Sequence, residues 1–478
     1  MRRGVRRSGR GFHQSRAVDI GSIVVSKWFE ARCNAIGLFP LARPLSLARP
    51  MKLASCLFAL ATALPALAAP TAAPAASTAS APYALFGGKP LEWERSGGKV
   101  VGVYTPNWQP AALVDALHGD SVTHLVYAFL HVCGPGQLPI DAPKCEAKAD
   151  FSVATSQVDD TFEAAFARLK KRAPHVTVLA SIGGWGGSDP FFHLAGDPAR
   201  RNAFAASALA FLRTHPSFDG LDIDWEHPTS NGSANGVALG TPADGAAYAD
   251  LMATLRGALD RLTAETGRHY QLTSAINTEH VIVDKVDYKR AAASMDYVFM
   301  MTYDFYGPWT PVAGNHAAPR ASTPDREDGL DAAVKTMTAA GVPAAKLVAG
   351  VAMYGHGFTG VAPPAKGQPF TGSKYVAGYP APESSSPYAE LAARYLDRNG
   401  RGRHGYEAVR DPVTAAWNLY NPRNRLFMGY DDPRAVLAKG TIVRDMGLAG
   451  VFAWELSQDN GDLLNAMNYG VGNALLQP

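Results

Sequence analysis

The 478-residue chain lacks a usable excess of charge of either sign; its formal net charge is +3. Even that small positive value is misplaced. Residues 1–68 hold 11 of the 45 Lys and Arg but only 2 of the 42 Asp and Glu, so residues 69–478 carry 34 against 40, a net of −6. A body this close to neutral, and slightly acidic, gives no electrostatic basis for binding nucleic acid or an anionic membrane surface. A membrane-spanning run is missing as well. The apolar stretch in "MKLASCLFALATALPALAAP", from Met51, is too short to cross a bilayer. No separate binding module with a core of its own is recognisable. Cysteine is scarce, at four residues, and two of those lie before residue 69.

What is present is a globular composition, 47% hydrophobic and 18% charged, over a length that suits one large domain or two ordinary ones. Residues 1–50 are Arg-rich without hydrophobic period and are expected to be an upstream extension or a disordered arm. Residues 51–68 are expected to be a secretory signal, with Ala66-Leu67-Ala68 as its small-residue cleavage site. An exported product follows, either extracellular or periplasmic. In such a compartment Cys133 and Cys145, which bracket the loop "CGPGQLPIDAPKC", are expected to form a disulfide. Residues 69–97, rich in Ala, Pro, Ser and Gly, are expected to be a linker.

From Lys99 short apolar runs alternate with amphipathic helical stretches. There are eight runs, from "KVVGVY" at 99–104 to "LAGVFAWEL" at 448–456. Continuous apolar strands separated by helices imply a parallel sheet covered on its faces. Eight units imply an α/β fold, the (β/α)8 barrel, over 98–357 and 431–478. The rhythm breaks over 358–430, where Gly, Pro, Ser and aromatic residues replace helical period. This segment is expected to be an α+β insertion after strand seven.

The stretch "FDGLDIDWEHP", 218–228, sets three carboxylates two residues apart in a strand pattern. Residues two apart share a face of a strand. Asp222, Asp224 and Glu226 therefore point into the barrel, while Leu221, Ile223 and Trp225 point at the helices. Glu226 lies nearest the carboxyl end of the strand, where barrel enzymes place their chemistry. Two chemistries fit. Carboxylates crowded together resist joint ionisation, which holds a proton on the outermost member for general acid catalysis. The same set also suits a divalent metal.

"DGLDIDWE" resembles the DGxDxDxE signature of glycoside hydrolase family 18, the chitinases. "SIGG" at 181–184, "MTYD" at 301–304, "MGYDDPRAV" and "GVFAWELSQDNGDLLNAMN" resemble further motifs of the family, in the family's order. The insertion is similar to that of bacterial members. The resemblance implies a secreted chitinase cutting β-1,4 bonds between N-acetylglucosamine units, with no cofactor and no metal. It implies Glu226 as general acid, Asp224 and Tyr303 as holders of the acetamido group, and Asp222 as a partner of Asp224. Asp304 would assist, Trp454 would floor the cleaved sugar and Met301 would pack against it. Tyr104, Trp108, Trp185 and Trp309 sit near strand ends, where sugar faces would stack. Tyr406 and Trp417 are weaker candidates for a cleft wall.

Two positions depart from the family pattern. His227 stands where an aromatic residue is common, and His356 where Arg is usual. If His356 replaces an Arg contact to substrate, affinity should weaken as pH rises through the histidine pKa. Chitin and chitooligosaccharides are the expected partners of a monomeric protein. The alternatives are a chitin-binding lectin on the same fold and an endo-β-N-acetylglucosaminidase acting on glycoprotein glycans.

Overall fold

The computed structural model describes residues 85–373 and 385–476. The proposed extension and signal, and residues 69–84 of the expected linker, lie outside the described residues. Eight parallel strands close into a barrel, as the eight apolar runs imply: β1 (Val100–Pro106), β2 (His124–Val132), β3 (Thr177–Gly183), β4 (Gly220–Asp224), β5 (Gln271–Ile276), β6 (Tyr297–Met300), β7 (Leu347–Ala352) and β8 (Gly450–Trp454). β8 pairs with β1, which closes the ring.

Alternation along each strand builds two cores. Outward residues such as Leu125, Tyr127, Ile223 and Val351 pack under the helices. Inward ones, Val126, Ala128, Leu179, Phe299 and Phe452 among them, fill the barrel. The helix Gln157–Arg172 shows how the outer layer is fixed. Phe162, Ala165, Phe166 and Leu169 fall on one helical face and are buried. At its start the Asp159 carboxylate accepts from the Ser156 amide at 2.5 Å and from the Tyr127 hydroxyl at 2.5 Å, which ties the helix to β2.

Two expected boundaries move. Residues 85–97 are docked: Trp93 is buried, and Trp93–Glu94 pairs antiparallel with Ala474–Leu475. Composition marked them as linker, but a buried Trp93, the short edge pairing and side chains of Asp462, Asn465 and Asn473 that bond their backbone hold them. The insertion is a five-stranded antiparallel sheet, ordered Ser385–Pro387, Tyr354–Thr359, Leu426–Tyr430, Trp417–Asn421, Glu407–Arg410, with a helix at Tyr388–Tyr395. It therefore begins at Tyr354, not at 358, only two residues beyond the end of β7. That junction is pinned by a wholly buried pair. The Lys439 ammonium donates to Asp431 at 2.6 Å and to the Gly350 carbonyl at 2.9 Å, while Asp431 accepts from the Ala352 amide. A pair this deep holds geometry; losing either partner would strand a buried charge.

Cys133 and Cys145 form a disulfide, with Cα atoms 5.5 Å apart. It closes a short loop and is expected to stabilise the protein by about 2–3 kcal/mol on chain-entropy grounds. Peptide mapping without reductant should recover the two cysteine peptides joined; recovering them separately would overturn the pairing. Among the described residues no helix is long and apolar enough to cross a membrane.

Candidate active site

β4 delivers the carboxylates as its alternation requires. Leu221, Ile223 and Trp225 are buried in the outer core. Asp222 is fully buried on the inner side, and its carboxylate collects three hydroxyl donors: Tyr104 (2.8 Å), Ser181 (2.8 Å) and Thr273 (2.6 Å). Burial raises its pKa, and the three hydrogen bonds act against that rise. Asp224, one inward step further along, has no such donors. Its Oδ1 is buried and makes no hydrogen bond. Burial first, then the charges of Glu226 and Asp222, push its pKa well up. Glu226 lies just past the strand end with its side chain 13% exposed, and its amide donates to the Ser188 hydroxyl.

The "SIGG" glycines make this approach possible. A Cβ on Gly183 would lie 2.2 Å from the Asp224 carbonyl oxygen, and one on Gly184 would enter the Phe129 ring. Both residues also have positive φ, 118° and 81°, a region that glycine occupies at little cost.

Beyond β6, Met301 and Tyr303 both pack against the inner barrel core, as does Trp454 from β8. Burial and the charges of Asp224, Asp304, Glu226 and Asp222, in that order, raise the Tyr303 pKa well above its usual value. The tyrosine is thus a neutral hydrogen-bond donor set among carboxylates. Asp304 adopts φ 63°, which is costly for a residue with a side chain. Its Oδ1 accepts from the Tyr354 hydroxyl at 2.7 Å and lies 2.8 Å from His356 Nε2. Trp454 stacks on Phe129, centroids 5.6 Å apart, and is half-buried. Trp108, 49% exposed, stands 6.2 Å from Trp454.

Several expected roles shift. Tyr104, expected to touch substrate, is 1% exposed and gives its hydroxyl to Asp222, so it supports the ladder from below. His356, expected to replace an Arg contact to substrate, is buried behind Asp304 with Trp309 edge-on above it. The anticipated pH-dependence of affinity through a direct contact loses its basis. His227 is buried beside Glu226, its Nε2 at 3.9 Å, with Trp185 near its ring. Tyr406 packs on Tyr395 inside the insertion, and Trp417 lies under the Arg434 guanidinium. Neither forms a wall of this site. Reading the sequence missed Phe129, Ser181, Thr273, His316 and Tyr354 as members of the constellation. A cavity of about 530 Å³, lined by Glu94, Arg95, Lys99, His124 and Tyr297 among others, opens at the opposite, amino-terminal mouth of the barrel, and Asp222, Asp224 and Glu226 do not line it.

A closed parallel barrel with an inward carboxylate ladder at the end of β4 and a half-buried aromatic floor is the architecture of a glycoside hydrolase. The sequence profile of glycosyl hydrolases family 18 matches residues 100–459, and the chain belongs to that family. Chitinase A of Pseudoalteromonas piscicida is 35% identical over 432 residues, covering 78% of this chain and 52% of that protein. A probable endochitinase of Orgyia pseudotsugata multicapsid polyhedrosis virus is 33% identical, covering 78% and 72%. The chain thus spans about half the length of the first and most of the second. Among solved structures, a family 18 N-acetylglucosaminidase from Paenibacillus barengoltzii superposes with a TM-score of 0.65 at 29% identity, covering 78% of this chain and 99% of that one.

Proposed function

We propose that the protein is a secreted chitinase that hydrolyses β-1,4 bonds between N-acetylglucosamine units with retention, using the substrate's own acetamido group as nucleophile. The observation that carries this reading is the orphaned, buried Oδ1 of Asp224. An ordinary retaining hydrolase sets a second carboxylate across the sugar, about 5–5.5 Å from the acid, and family 18 is a recognised exception. Asp224 ends β4 and Glu226 follows two residues on, so Asp224 lies beside the acid and not across the ring. Its unsatisfied oxygen is an acceptor for an N–H, which the acetamido group supplies.

The proposed steps are as follows. The acetamido N–H donates to Asp224, and the Tyr303 hydroxyl donates to the acetamido carbonyl. Glu226 gives its proton to the glycosidic oxygen as the carbonyl oxygen attacks the anomeric carbon. The leaving sugar departs and an oxazolinium ion remains. Water then attacks the same carbon, Glu226 takes its proton, and the ring reopens with the original configuration. Asp222, held by its three donors, sets its charge beside Asp224 and raises that residue's pKa further; Asp304 supports the turn that presents Tyr303. Trp454 and Met301 pack against the sugar. Trp185 and Trp309 lie further out, as sites for neighbouring units. The first product seen by NMR should be the β-anomer, and the α-anomer appearing first would overturn the mechanism.

The leader belongs to the same reading. Residues 51–68 direct export, and cleavage after Ala68 leaves Ala69 as the first residue of the mature protein. Terminal sequencing of secreted material should begin there; recovering residues from 1–50 would refute it. The catalytic barrel is 98–353 with 431–478, and 354–430 is the insertion.

A further inference from the structure

We propose that Asp304, His316 and His356 form a binding site for a borderline divalent cation of the Zn2+ type, and that its occupation switches the cleft off. The three side chains come from separate segments: the turn after β6, the loop following it, and the first strand of the insertion. One ligand atom from each lies within 4.8 Å of the other two. Asp304 Oδ1 is 2.8 Å from His356 Nε2 and 3.6 Å from His316 Nδ1. Zinc bonds of about 2.0–2.1 Å in a tetrahedron set neighbouring ligands about 3.3 Å apart, a spacing these separations straddle.

Two further features favour an ion over a plain hydrogen-bonded cluster. His316 Nε2 lies 3.1 Å from the Tyr354 carbonyl oxygen, and a carbonyl only accepts, so that nitrogen carries the hydrogen. Nδ1 then carries the lone pair, which accepts from the Asp304 amide in a long 3.4 Å bond that an ion would displace. A carbonyl fixing the far nitrogen is how metal-binding imidazoles are oriented. The Tyr354 hydroxyl, 2.7 Å from Asp304 Oδ1, supplies the matching support for the carboxylate. Both imidazoles are almost fully buried, at 0% and 1% side-chain exposure, so they are pre-positioned; Asp304, at 10%, is the group an ion would reach first.

Binding requires His356 Nε2 to present its lone pair, with the ring hydrogen on Nδ1. Once bound, the ion takes the Asp304 oxygen away from His356 and stiffens the turn next to Tyr303. The site itself stands on geometry alone; only the effect on turnover rests on the proposed function.

The probe is ZnCl2 added to EDTA-treated protein, read by thermal melting and by zinc-edge anomalous diffraction from soaked crystals. One saturable equivalent should raise Tm, and His356→Gln should weaken that response at least about 10-fold, the lower end of the loss seen even for a residue that only supports a ligand. The anomalous map should place zinc among His316 Nδ1, His356 Nε2 and an Asp304 oxygen. No zinc peak at the cluster, or equal protection of wild type and variant, would refute the site. The diffraction arm uses the native protein and decides the matter if the variant does not fold. Turnover of a soluble chitooligosaccharide should fall with Zn2+ and return with EDTA; zinc seated in the cluster with turnover unchanged would remove the switch.

Discussion

Glu226→Gln is expected to lower kcat on chitooligosaccharides by about 100- to 10,000-fold, the range attached to a positioned general acid. The amide keeps the shape of the side chain but has no acidic proton to give the glycosidic oxygen, and cannot take one from water afterwards. Both halves of the reaction fail together. Binding should survive, because Trp454, Met301 and the Asp224 acceptor are untouched. Isothermal titration with a chitooligosaccharide should therefore give an affinity near that of the wild type. A variant that still turns over within a few-fold would show that another group supplies the proton. A variant that loses binding along with turnover would point to a structural role for Glu226.

The second large effect is expected at Tyr303. Its hydroxyl stays protonated because burial and the surrounding carboxylates oppose a phenolate. It is therefore a donor, and in the proposed mechanism the acetamido carbonyl is the group whose oxygen gains bonding to carbon in the transition state. Removing one positioned donor of this kind costs about 100- to 1,000-fold in kcat. Tyr303→Phe should show that loss with a smaller change in KM, since the ring still packs on the inner core. A substrate without the N-acetyl carbonyl at the cleaved sugar should be resistant in wild type and variant alike. Tyr303→Phe within about threefold of wild type, or cleavage of the deacetylated substrate at a comparable rate, would remove the acetamido group from the mechanism.

The barrel was legible because each buried strand is a run of β-branched and aromatic residues, and observed strand ends lie close to those runs. The carboxylate ladder was legible for the same reason: a period of two fixes which residues share a face. The disulfide was legible because its partners are 12 residues apart. What escaped was long-range pairing. Tyr104 and Asp222 are 118 residues apart, and alternation places both inward without saying that one would cap the other. His356 lies 52 residues from Asp304, and nothing local distinguishes an imidazole facing sugar from one facing a carboxylate. The start of the insertion escaped because β7 runs into Tyr354–Thr359 through "AMYGHGF", with no turn signal to mark the change of sheet.

If Asp224 acts as proposed, its orphaned Oδ1 is expected to make heat resistance and turnover competing traits. A buried acceptor without a donor costs the fold about 1–3 kcal/mol for as long as the cleft holds no substrate. Substitutions that satisfy or delete that oxygen relieve the cost at one step, and they leave the barrel and its aromatic floor standing. Laboratory evolution screened only for survival at high temperature should therefore drift toward barrels that grip sugar and no longer cut it. A screen that keeps the hydrolase must demand product in every round, and must find its stabilising changes in the outer helices or the insertion sheet.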